Sequence, residues 1–200
     1  MSHSLLVALV VFGAVMAFTP GPNNIMVLSS GLTYGFHRSL PHIAGIAIGV
    51  SLMVASVGLG LGAVFVAYPV LQVILKYAGI AYLIYLAIVI AMSGSVKPGQ
   101  DNQRGPMTFW AAVLFQWVNV KGWVMAIGLI TAYSAAASFP WNIAIQAAVM
   151  FVMAALASLT WALFGSSLRS LLTSPKAVRV FNVLMAILLL ASLYPVFMDA

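Results

Sequence analysis

The stretch Thr19-Pro20-Gly21-Pro22-Asn23-Asn24 interrupts an apolar run that covers residues 4–36. Pro20 and Pro22 have no backbone N–H to donate, and Gly21 accepts conformations closed to other residues, so a helix should break here. The backbone groups released by a break cannot face lipid, where each unsatisfied group costs several kcal/mol. We therefore expect this stretch to face protein or a water-filled cavity.

A second apolar run of the same length covers residues 107–139 and is also interrupted, by Gln116-Trp117-Val118-Asn119-Val120-Lys121. Each interruption lies near the beginning of one half of the chain. Broken helices at corresponding places in two halves of a membrane protein usually line a transport pathway. The pair of interruptions therefore predicts a transporter.

The composition requires a lipid bilayer as the protein's environment. Hydrophobic residues make up 64% of the 200 residues and charged residues 5%, which leaves too little polar surface to coat a soluble globule. The net charge of +6 reflects basic residues in short connections, which set orientation, and we expect no nucleic-acid partner. The chain has no cysteine. We expect no cofactor, no metal site and no catalytic residues, so the chain is not predicted to be an enzyme.

Six apolar segments are long enough to cross a hydrocarbon core that needs roughly 20 residues per helix. They predict an all-α integral membrane protein, one transporter domain over residues 1–200. Three connections, 35–39, 93–106 and 169–179, hold six of the eight basic residues and are predicted to be cytoplasmic, which puts both termini outside, in the periplasm. The predicted segments are 5–34, 40–66, 69–92, 107–133, 141–168 and 176–198.

The polar linker 93–106 divides the chain into two halves of three helices, repeat 1 at about 1–92 and repeat 2 at about 107–200. An odd number of helices places the second half upside down relative to the first, so we expect an inverted repeat. Gly45 and Gly49 are four residues apart, as are Gly58 and Gly62, and such spacing allows backbones to approach closely. We expect a packing seam within one subunit; the alternative is a homodimer interface.

The first interruption has the chemistry of a binding site. Asn23 and Asn24 add amide donors and acceptors beside the released backbone groups of Thr19 and its neighbours. A helix that resumes at about Asn23 presents N–H groups with partial positive charge, which suit a carboxylate. The alternative is a proline kink in which the two amides merely satisfy the exposed backbone.

Lys121 is the notable residue of the second interruption. On a continuous helix it would lie about 21 Å from Met107, deep in the bilayer. The chain's only acids, Asp101 and Asp199, lie outside the predicted segments, so its partner is a substrate carboxylate, or Lys121 is neutral when the site is empty. Alternatively residues 107–120 form a re-entrant or interfacial piece and Lys121 marks the cytoplasmic edge. Gln116 and Asn119, within one turn, favour a polar cluster.

Three further polar residues, His37, Arg38 and His42, cluster near the predicted inner surface. We expect them to be solvated there, with a pH-sensing gate as the alternative.

The first interruption, with Leu28-Ser29-Ser30 after it, resembles the LysE/RhtB family of bacterial amino-acid exporters, and the similarity runs the full length of the chain. Members commonly show Pro-Gly-Pro followed by Asp or Asn in the first helix and Asn-Pro-Lys in the fourth. Here the latter reads Asn119-Val120-Lys121. This departure, with Asn at position 23, looks like the subgroup that exports cysteine and O-acetylserine. The missing proline puts the sharpness of the second break in doubt.

The resemblance implies efflux of an amino acid or close derivative across the bacterial inner membrane, in exchange for protons. The substrate would be similar to cysteine or O-acetylserine, or to homoserine or threonine. The rival functions are a passive channel or facilitator for small polar metabolites and a non-transporting membrane subunit. Without an acid in the helices, we expect proton coupling through Lys121. The predicted substrate-binding residues are Thr19, Pro20, Gly21, Pro22, Asn23, Asn24, Gln116, Asn119 and Lys121.

Overall fold

The computed structural model describes residues 3–92, 105–134, 137–172 and 174–192. The described residues form helices joined by short connections. In chain order the helices are α1 (His3–Phe18), α2 (Pro22–Tyr34), α3 (Phe36–Ser56), a π-helical turn (Val57–Leu61), α4 (Gly62–Ala67), α5 (Pro69–Met92), α6 (Phe109–Phe115), a 3-10 turn (Gln116–Val118), α7 (Val120–Ala132), α8 (Trp141–Leu171) and α9 (Pro175–Ala191).

Both predicted interruptions break their helices. The chain bends by 57° between α1 and α2 and by 70° between the α6 segment and α7. The depth calculation for Lys121 assumed a continuous helix and does not apply, because the helix stops at Asn119. A bend of this kind occurs in broken membrane spans and in re-entrant segments alike.

Three helices in the described part of the chain are long and apolar enough to cross a membrane: Phe36–Val64, Val73–Met92 and Trp141–Arg169. The number rises to five if each bent pair counts as one span. The segment predicted at 176–198 is helical over Pro175–Ala191, and its remainder lies outside the described residues, as does most of the linker 93–106. The membrane-spanning, all-helical class is confirmed, whereas six spans in an inverted repeat remain a prediction.

The second predicted segment, 40–66, corresponds to α3, the π-helical turn and α4, and it differs from the sequence expectation at both ends. The connection predicted at 35–39 is reduced to Gly35, and α3 begins at Phe36. Gly35 has φ +85°, a conformation that favours glycine and allows so short a turn. At the other end the helix is interrupted by Gly60, with φ +117°, within the π-helical turn. Neither Gly35 nor Gly60 is next to a proline, so proline positions did not predict either feature.

Helix α8 packs against α1, α2 and α3. Its crossing with α2 is very close: a Cβ on Gly31 would lie 2.3 Å from the carbonyl oxygen of Ala162, and one on Gly165 would lie 2.1 Å from that of Leu28. The side chains of α2 are almost all buried. Its polar residues are therefore shielded from lipid by protein.

The predicted glycine seam lies inside the subunit, between α3 and α6. A Cβ on Gly45 would lie 2.4 Å from the carbonyl oxygen of Phe109, and one on Gly49 would lie 2.7 Å from Cγ of Gln116. Of the second pair, Gly58 also packs closely inside the subunit, since a Cβ there would lie 2.9 Å from Ile130 of α7 and from Ile143 of α8, whereas Gly62 does not. A Cβ on Gly62 would meet its own helix, at an ordinary 3.6 Å from Val57.

Helices from the first and second halves of the chain are in contact. Helix α3 packs against α8, α5 packs against α9, and the two breaks meet through side-chain hydrogen bonds. These contacts bring both interruptions to one place.

Candidate functional site

The first break is held by the side chain of Asn24. Its Nδ2 donates to the carbonyl oxygens of Ala17 and Thr19, each at 2.9 Å, which are released at the end of α1. Gly21 is extended, with φ −173° and ψ −177°, a conformation that any residue adopts. The expectation that Gly21 is needed for its backbone freedom is therefore wrong.

What Gly21 provides is space for Lys121. A Cβ at position 21 would lie 2.9 Å from Cδ and 3.0 Å from Nζ of Lys121. The lysine reaches past it to donate from Nζ to the carbonyl oxygens of Thr19 at 2.6 Å and Pro20 at 3.5 Å. Carbonyls at the C-terminal end of a helix carry partial negative charge, so an ammonium group is favoured there. Lys121 thus ties the second break to the first.

The second break forms without proline. Helix α6 tightens into a 3-10 turn, and Asn119 is extended, with φ −84° and ψ 98°, before α7 starts. The carbonyl oxygen of Trp117 accepts from Nε1 of Trp123 at 2.9 Å. Helix α5 packs closely against the 3-10 turn, since a Cβ on Gly79 would lie 2.2 Å from the carbonyl oxygen of Val118.

A reciprocal pair of amides joins the two breaks. Asn23 Nδ2 donates to Gln116 Oε1 at 2.9 Å, and Gln116 Nε2 donates to Asn23 Oδ1 at 3.2 Å. Gln116 Nε2 also donates to the carbonyl oxygen of Ala112 at 2.9 Å, and Asn119 Nδ2 lies 3.5 Å from Gln116 Oε1. Since Gln116 is completely buried, these bonds compensate the desolvation of its amide.

A cavity with about 460 Å³ of empty space, including the part that opens outward, lies between the two breaks. Two helices start at it, α2 and α7, and the first N–H groups of a helix have no acceptor within that helix. Asn119 Oδ1 is buried and has no hydrogen-bond partner among the described residues. The cavity therefore offers donors, one cation and an unused acceptor side by side, which suits a zwitterion.

The structure brings all nine predicted binding residues to this region, and six line the cavity: Gly21, Pro22, Asn23, Asn24, Asn119 and Lys121. Gln116 is buried behind them on Asn23. Thr19 and Pro20 are exposed and accept from Lys121. The sequence reasoning missed the remaining wall, which is mostly apolar and comes from α1, α3, α7 and α8: Met16, Ala17, Ile46, Val50, Gly122, Met125, Met150, Ala154, Ala157 and Ser158.

Ser158 is the polar exception on that wall. It belongs to a run of small residues in α8, Ala154–Ser158, whose spacing indicates close packing and nothing more. A serine in such a run gives no signal that it faces a cavity. Only the position of α8 between α1, α2 and α3 places it there.

A bundle of membrane helices in which two broken helices start at a shared polar cavity defines a multi-pass membrane transport protein. The model of the family described as "LysE type translocator" matches residues 14–192. The chain belongs to this family. The family resemblance read from the first interruption is confirmed.

Curated relatives match over nearly their whole length. A cysteine/O-acetylserine efflux protein of Escherichia coli O157:H7 is 30% identical over 195 residues, which cover 95% of this chain and 96% of that protein. The proteins of the same description in E. coli strain K12 and Shigella sonnei strain Ss046 are each 30% identical over 194 residues, covering 94% of this chain and 95% of theirs. No solved structure matches the chain.

Proposed function

We propose that the protein exports a small amino acid or derivative, similar to cysteine or O-acetylserine, across the bacterial inner membrane in exchange for protons. The observation that carries the proposal is the cavity between the breaks, where Asn23, Asn119 and Lys121 face one space. The curated relatives named as efflux proteins for cysteine and O-acetylserine support this substrate class. Both termini are proposed to lie on the periplasmic side.

The substrate's two charged ends find complementary groups in this cavity. Its carboxylate would bind at Lys121 and the first N–H groups of α2 and α7, where helix dipoles favour negative charge. Its ammonium group would donate to Asn119 Oδ1, the buried acceptor without a described partner. Its short side chain would then lie against α8, near Ser158.

Transport would follow from opening and closing the bundle around this site. We propose that the two halves form an inverted repeat and that they rock against one another. Because a zwitterion carries no net charge, its own passage gains little from the membrane potential. Uphill export therefore needs a coupled ion, for which we propose the proton.

Counterflow into proteoliposomes tests this function. Vesicles loaded with unlabelled cysteine, O-acetylserine, homoserine or threonine should accumulate the labelled form of the same compound, and cysteine or O-acetylserine should exchange fastest. Flux that does not saturate and ignores a pH gradient would indicate the passive facilitator instead. No flux from the purified protein would indicate the non-transporting subunit.

The Lys121→Met variant tests the site itself. Removing a charged hydrogen-bonding partner costs about 1.5–3 kcal/mol, so the half-saturating substrate concentration should rise about tenfold or more. Lys76→Met is the matched control, since Lys76 is a lysine of α5 that does not line the cavity. Equal kinetics for the two variants would contradict the assignment of Lys121.

A further inference from the structure

A second cavity, with about 430 Å³ of empty space, lies at the other end of α2. Four hydroxyl side chains of α2 line it, Ser29, Ser30, Thr33 and Tyr34, together with His42 of α3. The rest of the wall is formed by α5 and by residues 105–107. Ten residues of helix separate Asn23 from Thr33, so this cavity lies about 15 Å along α2 from the first.

His42 is buried in this wall, with only 1% of its surface exposed, so the expectation that it is solvated is wrong. Its Nδ1 lies 3.1 Å from Ser30 Oγ, within hydrogen-bonding distance. Its Nε2 is buried and has no partner among the described residues, and the same holds for Oγ1 of Thr33 in the same cavity. Buried polar atoms are nearly always hydrogen-bonded in proteins, so both atoms need partners within the cavity, which water can supply.

We propose that this second cavity holds the transported proton and that His42 is its acceptor, an inference that rests on the proposed proton-coupled export. The proton entering from outside adds to the lone pair of the unprotonated ring nitrogen and gives an imidazolium. Its release to the cytoplasm restores the neutral ring. No electron transfer or further reactant is involved.

Few of the described side chains around His42 could accept the proton instead of it. Among the described residues, Tyr34 is the one other titratable side chain that lines the cavity, and its ring lies 6.0 Å from Arg38. On the neighbouring elements, His37 and Arg38 of α3 and Arg169 of α8 are exposed. The α5 residues that line the cavity are uncharged: Leu86, Val89 and Ile90. Imidazole is the side chain that ordinarily changes charge near neutral pH.

The two cavities share one rigid element. Asn23 and Asn24 at the start of α2 line the first cavity, and Ser29, Ser30 and Thr33 line the second. Charging His42 beside Ser30 changes the forces on the same helix that presents the first amides to substrate. A shift of α2 can therefore couple the two sites, since each ligand biases one two-state element.

This proposal assigns the proton to His42 in place of Lys121, through which coupling was expected from the sequence. The ammonium group of Lys121 donates to the end of α1 and lines the substrate cavity, so its loss should impair every mode of transport. Loss of a proton acceptor should instead leave exchange of substrate for substrate intact. The two modes can be measured separately.

The transport experiment compares His42→Gln with the matched control His37→Gln in proteoliposomes, using radiolabelled cysteine kept reduced. With one proton exchanged per substrate, a pH difference of about one unit supports about a tenfold cysteine gradient in the wild type. His42→Gln should abolish this accumulation and the accompanying proton flux, while counterflow stays within about twofold of wild type. His37→Gln should retain both.

Each outcome decides a separate question. Wild-type protein without counterflow or proton flux overturns the proposed function. Wild-type protein with proton-driven accumulation that persists in His42→Gln overturns the role of His42 alone.

A measurement on the folded chain covers the case in which His42→Gln does not fold. The chain has three histidines, so the double variant His3→Gln/His37→Gln carrying ¹⁵N-labelled histidine reports on His42 alone by NMR. We expect its ring to gain and lose charge over the same pH range in which transport responds to pH. A ring that keeps one charge state throughout overturns the proposal.

Discussion

The two breaks reach similar bends by different chemistry. The first contains two prolines and a glycine and bends by 57°. The second contains neither residue type between Gln116 and Lys121, yet it bends by 70°. The missing proline does not weaken the second break, because residues outside it supply the restraint: Asn23 from α2 and the close approach of Gly79 from α5. The first break is determined by the residues within it, whereas the second depends on residues of α2 and α5.

The largest effect should come from Gly79→Ala, which adds a methyl group to the face of α5 that packs against the second break. The new Cβ would lie 2.2 Å from the carbonyl oxygen of Val118, so α5 or the 3-10 turn must move. Overpacking of this kind typically costs about 1–3 kcal/mol, and backbone cannot yield as a side chain can. We expect a lower midpoint of thermal unfolding in detergent and a large loss of counterflow.

Gly128→Ala is the matched control for this variant. Gly128 lies in α7, and a Cβ there would meet only Cζ of Phe12, at 3.9 Å. Alanine should therefore leave stability unchanged or raise it, because it favours the helix. If both alanine variants behave alike, α5 does not hold the second break.

An intermediate effect is expected from uncoupling the two breaks. Asn23→Ala and Gln116→Ala remove the two ends of one reciprocal amide pair, so their effects on the free energy of unfolding should deviate from additivity by about 0.5–3 kcal/mol. A double-mutant cycle in reversible unfolding measures this coupling.

Asn24→Ala provides the control cycle with Gln116→Ala. Asn24 donates to Ala17 and Thr19 within its own break, so these effects should add within about 0.5 kcal/mol. Additivity in both cycles would mean that the amide pair contributes nothing to joining the breaks.

The smallest effect should come from Val120→Pro, which gives the second break the proline it lacks. Val120 is the first residue of α7, a position whose N–H needs no acceptor within the helix. Asn119 before it is already extended, as a residue preceding proline prefers. We expect a stability gain of about 0.4–1 kcal/mol. Counterflow should fall only slightly, because the N–H groups of Lys121 and Gly122 remain for the substrate carboxylate.

The control for this variant is Trp123→Pro. Its backbone N–H donates to the carbonyl oxygen of Asn119 at 3.2 Å, and proline would remove that bond and deform α7. A loss of stability in Val120→Pro as severe as in Trp123→Pro would show that the second break does not have the described backbone.

The sequence predicted both breaks because prolines, or several polar residues, inside an apolar run are incompatible with an unbroken helix in lipid. It also singled out six of the residues that line the candidate site, although not the mostly apolar wall opposite them. It could not predict that Gln116 pairs with Asn23, because that contact depends on how two distant segments meet. The burial of His42 was missed for the same reason: a histidine close to a basic connection looks like an interfacial residue until α2 and α5 enclose it.

The depth of α2 in the bundle has a consequence for biosynthesis. This helix is shielded from lipid largely by α8, and the crossing needs Gly31 and Gly165 from opposite ends of the chain. Its serines, threonine and asparagines therefore have no permanent cover while the ribosome is still adding residues up to Leu171. At about 5–20 residues per second, that interval lasts on the order of ten seconds. The first span lacks its packing partner until α8 has been synthesised. A nascent chain stalled before α8 should therefore be a target for membrane proteases.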